Sequence, residues 1–354
     1  MPPPEPPSLA PEWLGTVGDL RDEWSRLAAR TGNVFSSWEW ARVWLDHRGG
    51  DAQPRLLGLR RPDGELAGIL PLTFARKGPL RVGRIVGHGP ADQLGPICAA
   101  EDRAAVAAAI AAAGRDLGAL FVGDRLDSRE GWAGRLGARV VRREPSPVLA
   151  LEGRGWEDYL AGRSSNFRSQ VRRAERKLVR DHALSFRLSD TPERLEEDFD
   201  TLVALHRARW GAESQSFDDG LEDFHRDFAR VALERGWLRL WVAEAAGTPV
   251  AAWLGFRYAA AESFYQAGRD PEWERSKIGF VLLAHTIRAA FEDGLREYRF
   301  LRGGESYKSR FTDSDADVET VALGHGALAS LAVAGGARAA GSPRGRRLLA
   351  GLAG

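Results

Sequence analysis

The sequence predicts a mixed α/β (α+β) protein made of two successive units of the same architecture. Three observations predict it. The chain has 354 residues, about twice a typical domain. Its hydrophobic periodicity switches between helical and alternating in the same order in each half. Its composition is globular, with 44% hydrophobic and 28% charged residues, enough apolar side chain for two cores.

The elements follow in order. Residues 1–12 are proline-rich and lack the basic and apolar regions of a secretory signal, so a short disordered leader is expected. Asp19 can cap a helix carrying Leu20, Trp24 and Leu27 at helical spacing, which Gly32 ends. Trp38, Trp40, Trp44 and Leu45 mark a second helix. The period then becomes two. Residues 55–61 and 65–75 read as strands around the turn Pro62-Asp63-Gly64, and 82–86 as a third. An Ala-rich helix over 104–117, a strand over 119–122, a short helix and strands near 139–141 and 148–151 close this half. The expected N-terminal unit is 13–150.

The second unit, 151–325, repeats the plan. Phe167, Val171, Ala174 and Leu178 line one face of a basic helix. Leu195, Phe199, Leu202 and His206 line a second helix, and Leu221, Phe224, Phe228 and Val231 a third. Strands over 237–243, 250–258 and 263–267 form a meander. A helix over 279–293 leads to a strand over 298–301, and the last strand is 318–323. Residues 326–354, rich in Ala, Gly and Arg, read as a frayed tail.

Charge and cysteine content exclude several classes. Lys and Arg total 50 and Asp and Glu 49, a net charge of +1. No overall attraction to DNA follows, and any anion site must be a local patch. The single cysteine, Cys98, excludes an intrachain disulfide and a cysteine metal cluster. No apolar run is long enough to span a membrane, so a soluble, cytoplasmic chain is expected. The seven histidines never pair at helical i, i+3 or i, i+4 spacing, and neither a phosphate-binding P-loop nor a nucleophile elbow occurs. No metal and no permanently bound cofactor is expected.

Four segments carry chemistry. Arg163, Arg168, Arg172, Arg173, Arg176, Lys177 and Arg180 stand against one acid, Glu175, on a single predicted helix. Arg172, Arg176 and Arg180 fall at i, i+4 and form a stripe suited to phosphate groups, unless they simply form a solvated face. Ser276-Lys277-Ile278-Gly279 lies at a helix start, where free backbone N–H groups attract anions. The loop from Arg302 to Phe311 leaves the carboxyl end of a strand, where open sheets place ligands. His206 lies on an apolar helix face. It reads either as a satisfied core histidine or as a general base.

Taken together, these residues resemble the CelD/BcsL-type acetyltransferases of the GNAT superfamily, whose two-domain layout is shared with the Fem-type aminoacyl transferases. The resemblance spans roughly residues 14–323. It rests on Phe35-Ser36-Ser37-Trp38-Glu39-Trp40, Leu70-Pro71-Leu72, the basic helix over 164–178 and His206-Arg207-Ala208-Arg209-Trp210. Pro249-Val250-Ala251-Ala252, Ser276-Lys277-Ile278-Gly279 and Arg302-Gly303-Gly304-Glu305-Ser306-Tyr307-Lys308 complete it. It implies tandem GNAT-like units, the first degenerate. It implies acyl transfer from acyl-CoA to an amine or hydroxyl of a small molecule or glycan precursor, in cell-envelope or polysaccharide biosynthesis. The alternatives are an aminoacyl-tRNA-dependent ligase and a binding module without a donor site. The family's donor motif falls on Ser276, Gly279 and Val281, where only the glycine agrees. Ser276, Lys277, Gly279, Arg172 and Arg176 are the candidates for binding the donor, and Arg209, Trp210, Arg302 and Tyr307 for binding the substrate. His206, Glu305 and Tyr265 are the candidates for proton handling, and Lys308 for stabilising the oxyanion.

Overall fold

The computed structural model describes residues 9–50, 54–211, 214, 216–218, 220–327, 329–331 and 333–334. The chain forms two compact units, 1–146 with 315–354, and 147–314.

In the first unit, strand β1 (Ala10–Leu14) precedes helices α1 (Arg21–Thr31) and α2 (Trp38–Arg48). Strands β2 (Arg55–Arg60), β3 (Leu66–Lys77), β4 (Leu80–Ile85) and β5 (Ile97–Cys98) follow, then helix α3 (Arg103–Ala113), strand β6 (Leu120–Asp127), helix α4 (Trp132–Arg135) and strand β7 (Arg139–Pro145). The sheet order is β1-β2-β3-β4-β6-β14-β7, with β5 against β3, where β14 is Asp317–Gly324. Only the β4–β6 pair of this path is parallel. Trp24, Trp40 and Trp132 are fully buried, and Trp24 Nε1 donates to the Ser36 carbonyl at 2.7 Å. An indole brings a large apolar surface into a core provided its N–H finds an acceptor.

Two expectations are corrected in this unit. The leader was expected to reach residue 12, yet residues 10–14 pair with β2. The strand expected over 119–122 continues to Asp127, paired with β14 as far as Val318, and within it the buried Asp124 carboxylate is held by Arg84 at 2.9 and 3.0 Å, which offsets its desolvation. Of the expected tail, residues 328, 332 and 335–354 lie outside the described residues, as do residues 1–8 of the expected leader.

The second unit begins with strand β8 (Val148–Ala150), helices α5 (Trp156–Ala161) and α6 (Ser165–His182) and strand β9 (Leu184–Leu188). Helices α7 (Pro192–Trp210) and α8 (Leu221–Glu234) lead into the meander β10 (Leu238–Ala245), β11 (Thr248–Tyr258) and β12 (Ala261–Arg269). Helix α9 (Ile278–Glu292) and strand β13 (Glu297–Arg299) complete it. The sheet order is β8-β13-β12-β11-β10-β9. Helices α7 and α8 pack on β10, β11 and β12, and α9 packs on β11, β12 and α6.

The basic helix α6 folds as the apolar spacing requires. Ser164 accepts from the Phe167 N–H as its cap, and Phe167, Val171 and Leu178 are buried. Each such side chain contributes roughly 1.5–3 kcal/mol of burial free energy. Glu175 is tied to Arg288 of α9 at 2.9 Å, which fixes the rotation of α6 against α9.

The two strands at the unit boundaries exchange the expected places. Residues 148–150 pair with β13 in the second sheet, and residues 317–324 pair with β6 and β7 in the first. Alternation along a strand fixes its two faces but not its neighbour. No described helix is long and apolar enough to cross a membrane.

Candidate active site

The site begins where two parallel strands part. β12 pairs with β13 over Ala261–Ser263 and Glu297–Arg299 alone. From Phe264 onward that edge of β12 has no described strand beside it. The expected strand over 298–301 is therefore one of three residues, because Phe300 donates to the Pro147 carbonyl and Leu301 turns at φ 54°. On its other side β12 carries a bulge. Gly255 faces Phe264 and Leu254 faces Gln266, so Tyr265 is the extra residue.

A cleft of about 280 Å³ lies beside this free edge. Trp253, Phe264 and Ala267 form its apolar floor, Ile278 and Gly279 its rim, and Arg209 and Tyr307 its polar wall. A wider crevice of about 470 Å³ lies between α6 and residues 275–277, and Gln170 and Lys277 line both spaces.

Three groups in the cleft can act on a ligand. Among the described residues the Tyr307 hydroxyl makes no hydrogen bond, and burial pushes its pKa up, so the phenol stays protonated near neutral pH. Arg209 is half-buried and stacks over Trp210 at 4.3 Å. Burial and the nearby Arg269 lower its pKa, while the Glu305 and Glu274 carboxylates act on it in the opposite sense. At the start of α9, Lys277 sits at φ 59° with no side-chain cap, and the Phe280 and Val281 N–H groups both go to its carbonyl. Among the described residues the Ile278 and Gly279 N–H groups have no backbone acceptor, as the first N–H groups of a helix do. A Cβ on Gly279 would meet only Arg269 Cδ at 3.5 Å, so the glycine leaves open space above these amides.

The structure gathers some of the expected site residues and disperses others. Tyr307, Arg209, Lys277 and Gly279 line the cleft, and Ser276 lines the neighbouring crevice. Trp210 is 46% exposed beside Arg209. Arg172 and Arg176 do not line either space. Arg172 pairs with Glu157 at 2.5 Å and Arg176 Nε donates to the Arg172 carbonyl at 3.0 Å, both exposed. The helix is turned by its buried Phe167, Val171 and Leu178 so that Gln170, Arg173 and Lys177 face the crevice instead.

Lys308 also differs from expectation. It is 3% exposed and is turned away from the cleft, into its own loop. Its ammonium donates to the carbonyls of Leu301 (3.3 Å), Arg302 (2.8 Å) and Gly303 (3.3 Å), and Glu305 lies at 2.9 Å. Gly303 has φ 123°, and a Cβ there would collide with the Glu305 carboxylate. Lys308 and Glu305 thus latch the turn that presents Tyr307, and Arg302 contributes its carbonyl to the latch. Asp313, a partner conceivable for Lys308, takes Arg163 at 2.7 Å.

His206 and Tyr265 are absorbed by packing. His206 Nδ1 donates to the Ala267 carbonyl at 3.0 Å, which leaves Nε2 to accept from Ser214 at 2.7 Å. Burial lowers its pKa, so the ring is neutral near pH 7. α7 crosses β12 so closely here that a Cβ on Gly268 would strike the His206 backbone nitrogen. The Tyr265 hydroxyl bonds His225 Nε2 at 2.8 Å among Phe256, Phe224 and Phe217. Arg275 of the crevice has no place in the sequence reading, and Arg173 stands there in the basic run without a site. Arg173 belongs to a neighbouring helical row, 166–170–173–177, with steps of four, three and four residues, and i, i+3 and i, i+4 steps both keep side chains on one helix face.

With this geometry in place, the comparisons with known proteins are specific about the fold. Residues 165–309 match the Acetyltransferase (GNAT) domain family. No curated relative matches the sequence. The crystal structure of FemX is similar at TM-score 0.63 and 12% identity, covering 87% of this chain and 96% of that one. The C-terminal domain of a putative lysylphosphatidylglycerol synthetase from Agrobacterium fabrum is similar at TM-score 0.56 and 12% identity, covering 90% and 95%. L-PGS from Bacillus licheniformis is similar at TM-score 0.55 and 13% identity, covering 94% and 100%. At these identities the likeness is one of fold. Residues 165–309 form a GNAT acetyltransferase-like domain, carried on a mixed α/β fold like that of FemX.

Proposed function

We propose that the unit 147–314 is an acyltransferase. It moves an acyl group from acyl-CoA to an amine or hydroxyl of a small-molecule or glycan-precursor acceptor, in the manner of the CelD/BcsL-type enzymes and in envelope or polysaccharide biosynthesis. The observation that carries this reading is the parting of β12 from β13 beside a cleft with apolar floor and polar wall. An acyl thioester laid along the open edge of β12 replaces the missing strand as hydrogen-bond partner.

The chemistry asked of the residues is modest. A neutral amine attacks the thioester carbonyl, the C–N bond forms, and the carbonyl oxygen becomes an oxyanion that backbone N–H groups can hold. Collapse breaks the C–S bond, and the thiolate needs a proton. The Tyr307 phenol, protonated in its buried position, is the donor in reach of the cleft, and water returns a proton to the phenolate. The ammonium proton of the attacking amine leaves to water. Arg209 orients an anionic portion of a substrate. Lys308 and Glu305 act by positioning Tyr307. His206 and Tyr265 act by fixing β12 against α7 and α8.

A second reading, an aminoacyl-tRNA-dependent ligase, has one observation in its favour: the crevice beside the cleft is open, basic and lined by no acid. A binding module that has lost its donor site is the third. Thiol release from acetyl-CoA with a panel of amine and hydroxyl acceptors tests the first reading. Acceptor-dependent thiol release supports it. Transfer from aminoacyl-tRNA alone supports the second, and binding without turnover the third.

A further inference from the structure

Helix α6 carries its cations on two sides, and the two sides are treated differently. On the outward side, Arg172 is paired with Glu157, Arg176 with a backbone carbonyl, and Arg180 with Asp181. On the side facing the 470 Å³ crevice, Arg173 and Lys177 make no hydrogen bond or ion pair with any described residue. The same holds for the side chains of Arg275 and Lys277 on the opposite wall. Asn166, Ser169, Gln170 and His182 add polar groups, and no carboxylate lines the space. Four cations thus converge on one crevice whose lining holds no carboxylate; Asp181, outside that lining, acts on Lys177 and is ion-paired with Arg180. Elsewhere in the unit guanidinium groups commonly find carboxylates, as Arg187, Arg226 and Arg257 do.

Like charges facing one another across a gap repel, and the arrangement is stabilised when an anion enters. The anion must carry several charges, since four cations are spread over two walls. Guanidinium groups favour phosphate, which accepts two parallel bonds from the fork. Lys277 supplies the link to the reaction cleft. It holds a left-handed φ of 59°, a conformation disfavoured for a side-chain-bearing residue, and lines both spaces.

We infer that this crevice is a second phosphate subsite, built by Arg173, Lys177 and Arg275 and distinct from the backbone amides at the start of α9. It takes a nucleotide-borne phosphate remote from the acyl group. This rests on the acyltransferase reading and extends it, since the donor is then a thioester or ester whose far end is a phosphorylated nucleotide. Both 3′-phosphorylated CoA and the 3′ end of an RNA carry that chemistry.

The test is calorimetric titration of the full chain with acetyl-CoA, 3′-dephospho-acetyl-CoA and an aminoacylated RNA minihelix, at low and moderate salt. Three proteins are compared: the unmodified chain, Arg173→Ala with Lys177→Ala, and Arg172→Ala with Arg176→Ala. The two variants lose equal charge from opposite sides of one helix. We expect the crevice variant to bind its donor about 10- to 100-fold more weakly, the scale of two lost charge-assisted contacts. The outward variant should change by less than about threefold, as screened surface charges do. If CoA is the donor, removing its 3′-phosphate should weaken the unmodified chain and leave the crevice variant unchanged. If the minihelix is the donor, its affinity should fall with salt more steeply in the unmodified chain than in the crevice variant. Equal losses in both variants, or none, would overturn the subsite while leaving donor binding and the acyltransferase reading intact. An unmodified chain that binds none of the three ligands would overturn both. Circular dichroism of each variant separates lost binding from lost fold.

Discussion

Replacing Lys308 by Met keeps the aliphatic stem and removes the ammonium. That ammonium is buried against the Leu301, Arg302 and Gly303 carbonyls and the Glu305 carboxylate. A hydrogen bond to a charged group contributes roughly 1.5–3 kcal/mol, and a buried polar group left unsatisfied costs about 1–3 kcal/mol. Several acceptors are lost together, but Glu305 reaches solvent and Arg302 is only half-buried. A net destabilisation of about 3 kcal/mol follows, which for a unit of this size lowers the melting temperature by roughly 6–12 °C. Leu301 at φ 54° and Gly303 at φ 123° then lose the group that holds their turn, and Tyr307 loses its place in the cleft. The rate should fall by about ten- to a thousandfold, the scale of a misplaced catalytic donor. Thermal melts and steady-state acyl-transfer kinetics of the same preparation measure both. Loss of rate at an unchanged melting temperature would refute the latch and return Lys308 to a direct role at the oxyanion. An unchanged melting temperature and an unchanged rate would show that the latch is idle.

Three further outcomes are expected. Tyr307→Phe should lower kcat by roughly a hundredfold with KM little changed, since only the hydroxyl is removed, and kinetics at saturating donor measure it. Gly268→Ala should destabilise the second unit by about 1–3 kcal/mol, because its Cβ meets the backbone of α7 rather than a yielding side chain, and chemical denaturation reads the change. Stability should fall as pH falls from about 6.5 to 4. Burial lowers both His88 and His285 to about 4, so the unfolded chain binds more protons across that window and each histidine withdraws up to about 3 kcal/mol. Melts of His285→Gln should show a shallower acid limb; an unaltered pH profile would remove His285 from that account.

Much of the fold was determined by the order of periods along the chain. The meander over β10, β11 and β12, the helix α9 behind it and the amphipathic face of α6 follow from apolar spacing and turn residues that act locally. The cleft loop after β13 was legible because glycines and ionisable side chains do not make a core. What only tertiary packing decided lies in which surfaces meet. Spacing marks two rows of cations on α6, and the docking of Phe167, Val171 and Leu178 selects Arg173 and Lys177 for the crevice. The strands 148–150 and 317–324 each look like the end of the preceding half. Their partners are distant in sequence, and hydrophobic alternation carries no information about them. Lys308 could aim at a ligand or at its own loop, and the left-handed turn at Leu301 brings three carbonyls within its reach. His206 and Tyr265 carry the same side chains in either role, and the close crossing of α7 over Gly268 and the packing of α8 against the β12 bulge hold them in place. Local sequence fixes what each segment can offer, and long-range packing fixes which offer faces the cleft.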